Sequence, residues 1–363
     1  MTVKITDNPN KGDWSTKQNA HAANINLASP HSADCSSIAT TKNNWTLEEV
    51  KQIYFTPLLE LVFQAAAIHR KFHDPLYVQK CTLLSIKTGA CPEDCAYCPQ
   101  SARYTTNISP EPLMDVASVV QAAKQAKESG SSRFCMGAAW REVKNNQDFE
   151  NVLTMVKEVS KLDLEVCVTL GMLTLDQANR LKEAGLTAYN HNLDTSRDYY
   201  KKIITTRTYQ DRLNTLHNVA EAGIDVCCGG IVGMGETEDD RIALIHTLAT
   251  LSEHPESVPI NALVPVAGTP LANKAAIKAL DFIRMIATAR ITMPKARVRL
   301  SAGRLSLSVT EQALCFLAGA NSIFAGSKLL TTPNCDEDQD QMMFDLLGIK
   351  SDTTPTNAAA VNP

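Results

Sequence analysis

From Lys80 onward, short apolar runs alternate along the chain with longer segments in which apolar residues recur at helical spacing. The strand-like runs cover residues 81–87, 133–139, 165–171, 187–194, 225–233, 258–265, 297–303 and 322–326. The helical patterns between them cover residues 115–127, 148–161, 174–184, 208–222, 237–251, 276–293 and 310–319. Strict alternation predicts βαβ units with a parallel sheet, in the α/β class. An open doubly wound sheet shares this order, but eight units in about 250 residues favour a TIM-type (β/α)8 barrel.

The ends of the chain differ from this pattern. Residues 46–74 predict one or two helices, an N-terminal helical extension that completes a barrel domain over residues 45–335. Residues 1–44 contain no Arg, are rich in Asn, Ser, Thr and Ala, and have the features of neither a secretory signal nor a mitochondrial transit peptide. We expect a disordered extension there, a partly disordered tail over 336–363, and a cytoplasmic protein.

Composition narrows the function. The net charge of −4 gives no sign of a nucleic-acid-binding surface, and no apolar stretch approaches the roughly 20 residues that cross a bilayer. Eleven cysteines without an export signal indicate metal binding or redox chemistry rather than disulfides. Some are expected to be only small apolar side chains, namely Cys35, Cys81, Cys315 and Cys335.

The most specific motif is CPEDCAYCPQS, which follows the first predicted strand and therefore lies at the active-site end of a barrel. Its cysteines, Cys91, Cys95 and Cys98, offer three ligands with C-x3-C-x2-C spacing. A structural zinc knuckle would use paired C-x2-C elements and four ligands. Three thiolates can instead hold three irons of a 4Fe–4S cluster and leave the fourth iron open.

Three further cysteines lie within predicted strands, Cys135, Cys167 and Cys227. Their apolar neighbours suit the outer face, so alternation directs these thiols into the barrel, where they could bind a second metal centre or simply fill the lumen. Arg299 can also point inward, with Arg297, and a buried guanidinium needs a partner that an anionic iron–sulfur centre would provide. Periodicity does not decide between Cys227 and Cys228.

The cysteine loop, with Tyr97 before its last cysteine, resembles the radical S-adenosylmethionine superfamily. The wider string of motifs resembles its biotin synthase family: RFCMGAAW, YNHNLDTS, IITTRTYQDRL, GGIVGMGET, ESVPIN, VRLSAGR and AGANSIF. This resemblance implies cleavage of S-adenosylmethionine at the 4Fe–4S cluster to a 5′-deoxyadenosyl radical. It further implies conversion of dethiobiotin to biotin with sulfur from a 2Fe–2S cluster, so that no side chain serves as a catalytic acid or base.

The same resemblance assigns residue roles. It implies that Cys91, Cys95 and Cys98 hold the 4Fe–4S cluster, and that Cys135, Cys167, Cys227 and Arg299 hold the 2Fe–2S cluster. The residues implied for S-adenosylmethionine are Tyr97, Asn192, Asp194, Arg212 and Ile231, and those implied for dethiobiotin are Asn192 and Asn261. From the residues alone, Asp194 could equally cap a turn, and Arg212 could lie on a solvated helix face. Departures from the family pattern stand at Arg297, Leu305, Pro265 and Ala267.

The resemblance also implies a homodimer and a flavodoxin-type electron donor, with no nucleic acid and no membrane as partner. Two other functions compete with it. The first is a related radical enzyme, such as a lipoyl synthase or a hydrogenase-maturation enzyme. A lipoyl synthase would carry a second cysteine-rich motif in the N-terminal region, where only Cys35 and Cys81 precede the loop. An iron–sulfur or zinc carrier would leave the polar residues Asn192, Asp194, Asn261 and Arg212 without a role.

Overall fold

A computed structural model describes residues 41–352. Two helices precede the barrel, α1 (Leu47–Phe55) and α2 (Leu58–Phe72). The side chain of Thr46 and that of Glu49 cap the start of α1 reciprocally, and α2 packs against a helix late in the chain. The predicted disordered extension falls almost entirely on residues 1–40, which lie outside the described residues.

The strands within the described residues are all parallel. They are β1 (Tyr77–Lys87), β2 (Arg133–Ala138), β3 (Glu165–Thr169), β4 (Ala188–Asn190), β5 (Asp225–Cys227), β6 (Gly230–Val232), β7 (Ser257–Ala262), β8 (Arg297–Leu300), β9 (Ser322–Ala325) and β10 (Lys350–Asp352). Strands β1 to β5 pair in sequence order, β5 and β6 each pair with β7, and β8 and β9 follow; β9 pairs with β1, which closes the sheet. With β5 and β6 taken as one interrupted strand, the predicted (β/α)8 barrel is confirmed, including its N-terminal helical extension.

The interruption between β5 and β6 was not predicted, because the run 225–233 reads as one strand. Cys227 pairs with Ser257 and Gly230 pairs with Ile260, so the register with β7 is the same on both sides of the break. Gly229 lies so close to β7 that a Cβ atom there would be 1.9 Å from the carbonyl oxygen of Pro259. Only glycine tolerates this approach.

Helices surround the barrel. They are α3 (Val116–Glu128), α4 (Gln147–Ser160), α5 (Leu175–Glu183), α6 (Arg197–Tyr200), α7 (Tyr209–Glu221), α8 (Glu238–Ala249), α9 (Ala279–Thr292), α10 (Val309–Leu317) and α11 (Glu337–Leu347). Between sheet and helices, Phe134, Val166 and Val168 pack with Phe149 and Val156 of α4. These strand residues therefore face outward, as alternation predicts, and the residues between them face the lumen. None of the described helices is both long and apolar enough to cross a membrane.

The end of the barrel opposite the cysteine loop is closed by ion pairs. Arg133, fully buried, lies 2.7 Å from Glu165 and 2.9 Å from Glu256. Arg297 lies 3.2 Å from Asp352 of β10, which pairs with β1. The chain was expected to fray from Asp336, but the helix α11 and the strand β10 occupy residues 337–352. The acidic composition of this segment gave no sign of these elements, because the packing and ion pairs that stabilise them involve distant parts of the chain.

Candidate active site

One cavity of about 320 Å³ opens at the carboxyl ends of the barrel strands. Every residue implied above for a cluster, for S-adenosylmethionine or for dethiobiotin contributes to its lining. These residues come from the loop after β1, from the segment after β4, from α7 and from the strands β2, β3, β5, β6, β7 and β8. The barrel therefore brings residues more than 200 positions apart in sequence, such as Cys91 and Arg299, to a single space.

The three-cysteine loop is folded back on itself by backbone hydrogen bonds. The Cys91 N–H donates to the Gln100 carbonyl (2.9 Å), and the Ala102 N–H donates to the Cys91 carbonyl (2.7 Å). Gly89 and Ala90, just before the loop, both have positive φ angles, of 68° and 52°. This turn directs the loop over the mouth of the barrel, where its three cysteines are free thiols.

Acidic residues inside the loop anchor it to the segment before α7. Glu93 is buried and lies 3.0 Å from Arg141 and 3.7 Å from Arg207. Asp94 accepts hydrogen bonds from the backbone N–H groups of Thr205 (2.9 Å) and Thr206 (3.2 Å). These residues were not predicted as part of the site, although the motifs CPEDC and IITTRT contain most of them. The available signal was the presence of two adjacent acidic residues, Glu93 and Asp94, inside a short cysteine loop.

Burial raises the pKa of the Cys95 thiol to about 11 and that of Cys98 to about 12. Both thiols are consequently protonated at neutral pH in the absence of a cation. A bound iron centre would replace these protons, since it is the thiolate that binds metal. The Arg207 guanidinium, 3.8 Å from Cys95 Sγ, adds positive charge that favours the thiolate.

No group of three or more His, Cys, Asp or Glu side chains in residues 41–352 is arranged to hold a single metal ion. A four-ligand zinc knuckle at Cys91, Cys95 and Cys98 is therefore not what the loop geometry offers. A cluster has a different requirement, because each cysteine binds a different iron. Three thiols facing one cavity, without a fourth protein ligand, fit a 4Fe–4S cluster with an open iron.

Below the loop, Cys135, Cys167 and Cys227 face the lumen from β2, β3 and β5. Cys135 of β2 pairs directly with Cys167 of β3, and Cys227 ends β5. All three are almost completely buried and still line the cavity. Cys228 is also buried but does not line the cavity. Of the two cysteines between which periodicity did not decide, Cys227 therefore faces the site and Cys228 lies outside it.

Arg299 of β8 is fully buried in the same region. Its guanidinium donates toward Cys227 Sγ (3.6 Å), Cys81 Sγ (3.4 Å) and Ser322 Oγ (3.0 Å), and it lies over the Phe324 ring. Burial alone would lower the pKa of Arg299, but the sulfur atoms of Cys81 and Cys227 raise it above the usual arginine value. The donor set of three thiols and a guanidinium surrounded by sulfur fits an iron–sulfur centre better than apolar filling.

The three deep thiols influence one another. A hydrogen bond from Cys167 lowers the pKa of Cys227 to about 5, with Arg299 adding to the effect against the opposing influence of burial. A second hydrogen bond from Cys167 lowers the pKa of Cys135, and this sharing of its proton raises the pKa of Cys167 itself. Both downward shifts favour the thiolate form, which is the form of cysteine that binds metal.

Cys81 was expected to be only a small apolar side chain. It is fully buried in β1, in an apolar cluster with Cys135 and Cys167 on the inner face of the barrel. It does not line the cavity, but its sulfur accepts a hydrogen bond from the Arg299 guanidinium at 3.4 Å, a contact that was not predicted. The signal was present in the sequence, since Cys81 and Leu83 alternate inward in a strand that pairs with β2. Cys315 and Cys335 are buried outside the cavity, and Cys35 lies outside the described residues.

Polar residues lie at the end of β4 and just after it, at the mouth of the cavity; Asn190, His191, Asn192 and Asp194 form this β4 edge. Asp194 has a positive φ angle of 66° and accepts a hydrogen bond from the Tyr97 hydroxyl (2.8 Å). Arg212 of α7 forms a buried ion pair with Asp194 and also donates to the Asn192 carbonyl (2.6 Å). Arg212 is therefore neither on a solvated face nor free; it holds the chain after β4. Asn190, in turn, donates toward Cys227 Sγ (3.2 Å) and so joins this edge to the deep site.

Ile231 and Asn261 face each other across β6 and β7. The Asn261 side chain donates to the Gly230 carbonyl (3.0 Å) and accepts from the Ala302 N–H (3.2 Å), which fixes its orientation. His191, between the two asparagines of the β4 edge, is buried with its Nε2 atom unpaired. Burial lowers its pKa well below the usual histidine value, so it is neutral, and nothing places it as a base.

Two family patterns match the chain. The Radical SAM superfamily matches residues 85–248, and the Biotin and Thiamin Synthesis associated domain matches residues 259–350. The first segment contains the cysteine loop and the β4 edge, and the second contains Asn261 and Arg299. Both matches together span most of the barrel.

Relatives and solved structures agree with these patterns. The chain is 63% identical over 309 residues to biotin synthase of Cytophaga hutchinsonii, covering 85% of this chain and 92% of that protein. It is 60% identical to the mitochondrial biotin synthase of Arabidopsis thaliana (85% and 82% covered) and 57% identical to that of Schizosaccharomyces pombe (85% and 86%).

In fold, the chain resembles methylornithine synthase PylB (TM-score 0.71, 18% identity, 85% and 94% covered) and the [FeFe]-hydrogenase maturase HydG (TM-score 0.75, 17% identity, 88% and 74% covered). At such identities both likenesses concern the fold alone. The high identity over most of the chain decides the family: this chain belongs to the biotin synthases, enzymes of the radical S-adenosylmethionine class.

Proposed function

We propose that the protein converts dethiobiotin to biotin by radical-mediated sulfur insertion. The observation that carries this proposal is that one cavity is lined by two separate sulfur sets, the loop cysteines at its mouth and the strand cysteines below. A carrier of a single cluster needs only one set. An enzyme that cleaves S-adenosylmethionine at one centre and takes sulfur from another needs both, facing the same substrate space.

The upper site would hold a 4Fe–4S cluster on Cys91, Cys95 and Cys98, with S-adenosylmethionine on the open iron. When bound, this cluster supplies the electron that cleaves the sulfonium of S-adenosylmethionine. The chain orients the co-substrate around it. Ile231, Asn192 and Asp194 line the same cavity as the loop. Tyr97 and Arg212 fix Asp194 there, and the loop excludes water from the mouth.

The lower site would hold a 2Fe–2S cluster on Cys135, Cys167, Cys227 and Arg299. Dethiobiotin would lie between the two sites, where Asn192 and Asn261 line the cavity. An amide can both donate and accept, which suits a ureido ring. The Asn261 amide already uses one donor and one acceptor on the backbone, so its orientation is set before a ligand arrives. A flavodoxin-type donor, a homodimer and a cytoplasmic location complete the proposal.

Anaerobic reconstitution tests this function. The full chain is loaded with iron and sulfide and given S-adenosylmethionine, a reductant and dethiobiotin, and 5′-deoxyadenosine and biotin are measured. Formation of both supports the proposal. Formation of 5′-deoxyadenosine without biotin would overturn the substrate assignment, and formation of neither would overturn the catalytic role of the loop.

Single variants separate the two sites. Cys95→Ser is expected to abolish both products with loss of the 4Fe–4S absorption. Cys227→Ser is expected to retain that absorption and 5′-deoxyadenosine formation while losing the 2Fe–2S signal and biotin. Cys228→Ser is the matched control, because this neighbouring thiol is equally buried but does not line the cavity.

A further inference from the structure

Cys81 has no role in the function proposed above, yet it contacts a residue that does. The Arg299 guanidinium lies between two thiols, with one terminal nitrogen 3.6 Å from Cys227 Sγ and the other 3.4 Å from Cys81 Sγ. Cys81 also clusters with Cys135 and Cys167 on the inner face of the barrel. Cys81 does not itself line the cavity; it lies directly behind the Arg299 guanidinium, on the side away from Cys227.

The surroundings of Cys81 are polar. Its sulfur lies 3.4 Å from Gln79 Oε1 and 3.6 Å from Ser322 Oγ. Ser322 in turn accepts from Arg299 Nε at 3.0 Å. A cysteine that only fills space needs none of these partners, as the apolar helix position of Cys315 illustrates. Cys81 and Arg299 are thus held by the same hydroxyl, and each is positioned relative to the other.

We propose that Cys81 is a reserve ligand of the deep iron–sulfur centre, able to replace Arg299 on the iron that the arginine would bind. This inference rests on the proposed function, specifically on a 2Fe–2S cluster at this site. In the exchange, the iron–nitrogen bond to Arg299 breaks and an iron–sulfur bond to Cys81 forms. The thiol proton passes to the released guanidine, which becomes guanidinium, and no electron is transferred.

Two chemical arguments favour the exchange. Thiolate is a softer and stronger ligand for iron–sulfur centres than guanidine, which binds metal only after losing a proton that arginine normally keeps. The proton that leaves Cys81 also has its acceptor in place, because the guanidinium nitrogen and the sulfur are already within hydrogen-bond distance. The site can accordingly change one ligand without admitting another molecule.

The test compares Arg299→Met, Cys81→Ser and the double variant, each as the full chain reconstituted anaerobically. We expect Arg299→Met to retain the 2Fe–2S cluster with an altered electron paramagnetic resonance spectrum after reduction. The double variant is expected to lose iron to a chelator at least about tenfold faster than Arg299→Met does. Cys315→Ser in the Arg299→Met background is the control and is expected to leave this rate unchanged.

Equal iron retention and identical spectra for Arg299→Met and for the double variant would overturn the inference and leave the proposed function intact. A wild-type protein without any 2Fe–2S spectrum would overturn both. If the double variant does not fold, resonance Raman spectra of Arg299→Met alone decide, since four thiolate ligands and three give different iron–sulfur stretching patterns. A three-thiolate pattern in that variant would contradict the role of Cys81.

Discussion

The Tyr97 hydroxyl donates a hydrogen bond of 2.8 Å to Asp194, which joins the cysteine loop to the edge of β4. Burial raises the pKa of Tyr97 well above its usual range, so the hydroxyl remains a donor at any working pH. Asp194 is held from its other side by Arg212. The position of one mouth residue thus depends on two contacts from separate parts of the chain.

Removing the hydrogen bond between Tyr97 and Asp194 should make the position of Asp194 less well defined without affecting the 4Fe–4S cluster. We expect Tyr97→Phe to weaken binding of S-adenosylmethionine by about tenfold, which corresponds to roughly 1.4 kcal/mol and to the loss of one hydrogen bond to a charged group. Equilibrium binding to the reconstituted protein measures it, and the 4Fe–4S absorption should not change. Tyr199→Phe removes a similar hydrogen bond, to the Met234 carbonyl outside the cavity, and should leave binding as in the wild type.

Glu93 supports the loop from inside, through Arg141 and Arg207. Glu93→Gln removes a buried charge from two guanidinium groups, and we expect the 4Fe–4S cluster to lose iron to a chelator about tenfold faster. Glu111→Gln, at an exposed position after the loop, is the control. Equal rates for wild type and Glu93→Gln would show that the loop does not depend on this contact.

Arg133 closes the lower end of the barrel. Arg133→Met leaves Glu165 buried with its strongest partner removed, and we expect the free energy of unfolding to fall by about 3–5 kcal/mol. Urea denaturation of the metal-free chain measures this loss. Lys127→Met breaks an exposed pair with Asp163 and should cost less than about 1 kcal/mol. A similar small loss for Arg133→Met would contradict the assigned role.

His69 and His73 give stability a dependence on pH. Burial and the nearby Arg290 lower the pKa of His69 to about 2 and that of His73 to about 3, so both are neutral in the folded chain. The unfolded chain binds protons at these positions below about pH 6.5. Stability is therefore fully present above that pH and is lost as the pH falls toward 3, by up to about 1.4 kcal/mol per pH unit for each histidine.

The variant His69→Leu tests this dependence, because it removes one of the two titrating groups. Between pH 7 and pH 5, its free energy of unfolding should fall less steeply than that of the wild type. His217→Gln changes an exposed histidine, 74% accessible in its side chain, and should keep the wild-type slope. An unchanged slope in His69→Leu would mean that the buried histidine does not control acid stability.

Much of the fold was predictable because each barrel unit is local. Alternation predicts that the apolar neighbours of the strand cysteines face outward, and Phe134 and Val166 do so. The break after Cys227 was not predictable, since it depends on how closely β7 approaches Gly229. The helix and strand within 337–352 were not predicted for a related reason. Asp340 is stabilised by Arg304, a residue of a different barrel unit, whose guanidinium nitrogens lie 2.7 and 2.9 Å from the two carboxylate oxygens.

For the site, the sequence and its resemblance predicted residues that the structure brings to one cavity, but not the partners of those residues. The loop spacing and the motif string indicated which side chains to expect at the cavity, and all of them line it. Three contacts could be found only from the three-dimensional arrangement: Arg212 with Asp194, Glu93 with two arginines, and Cys81 with Arg299. Each of these contacts joins residues from separate barrel units, and a pattern read along one strand or helix carries no information on them.

The closed lower end of the barrel has a consequence for how the protein is assembled in the cell. Within residues 41–352, Arg133 and its carboxylate partners close that end, and the cavity that reaches the strand cysteines opens on the side of the loop. In the function proposed above, iron and sulfide would pass the same walls that the co-substrate would occupy. The inner centre would then be built before the outer one. If that centre supplies the sulfur, the protein would have to release its small molecules before the centre could be refilled, and the path of delivery would limit the number of turnovers.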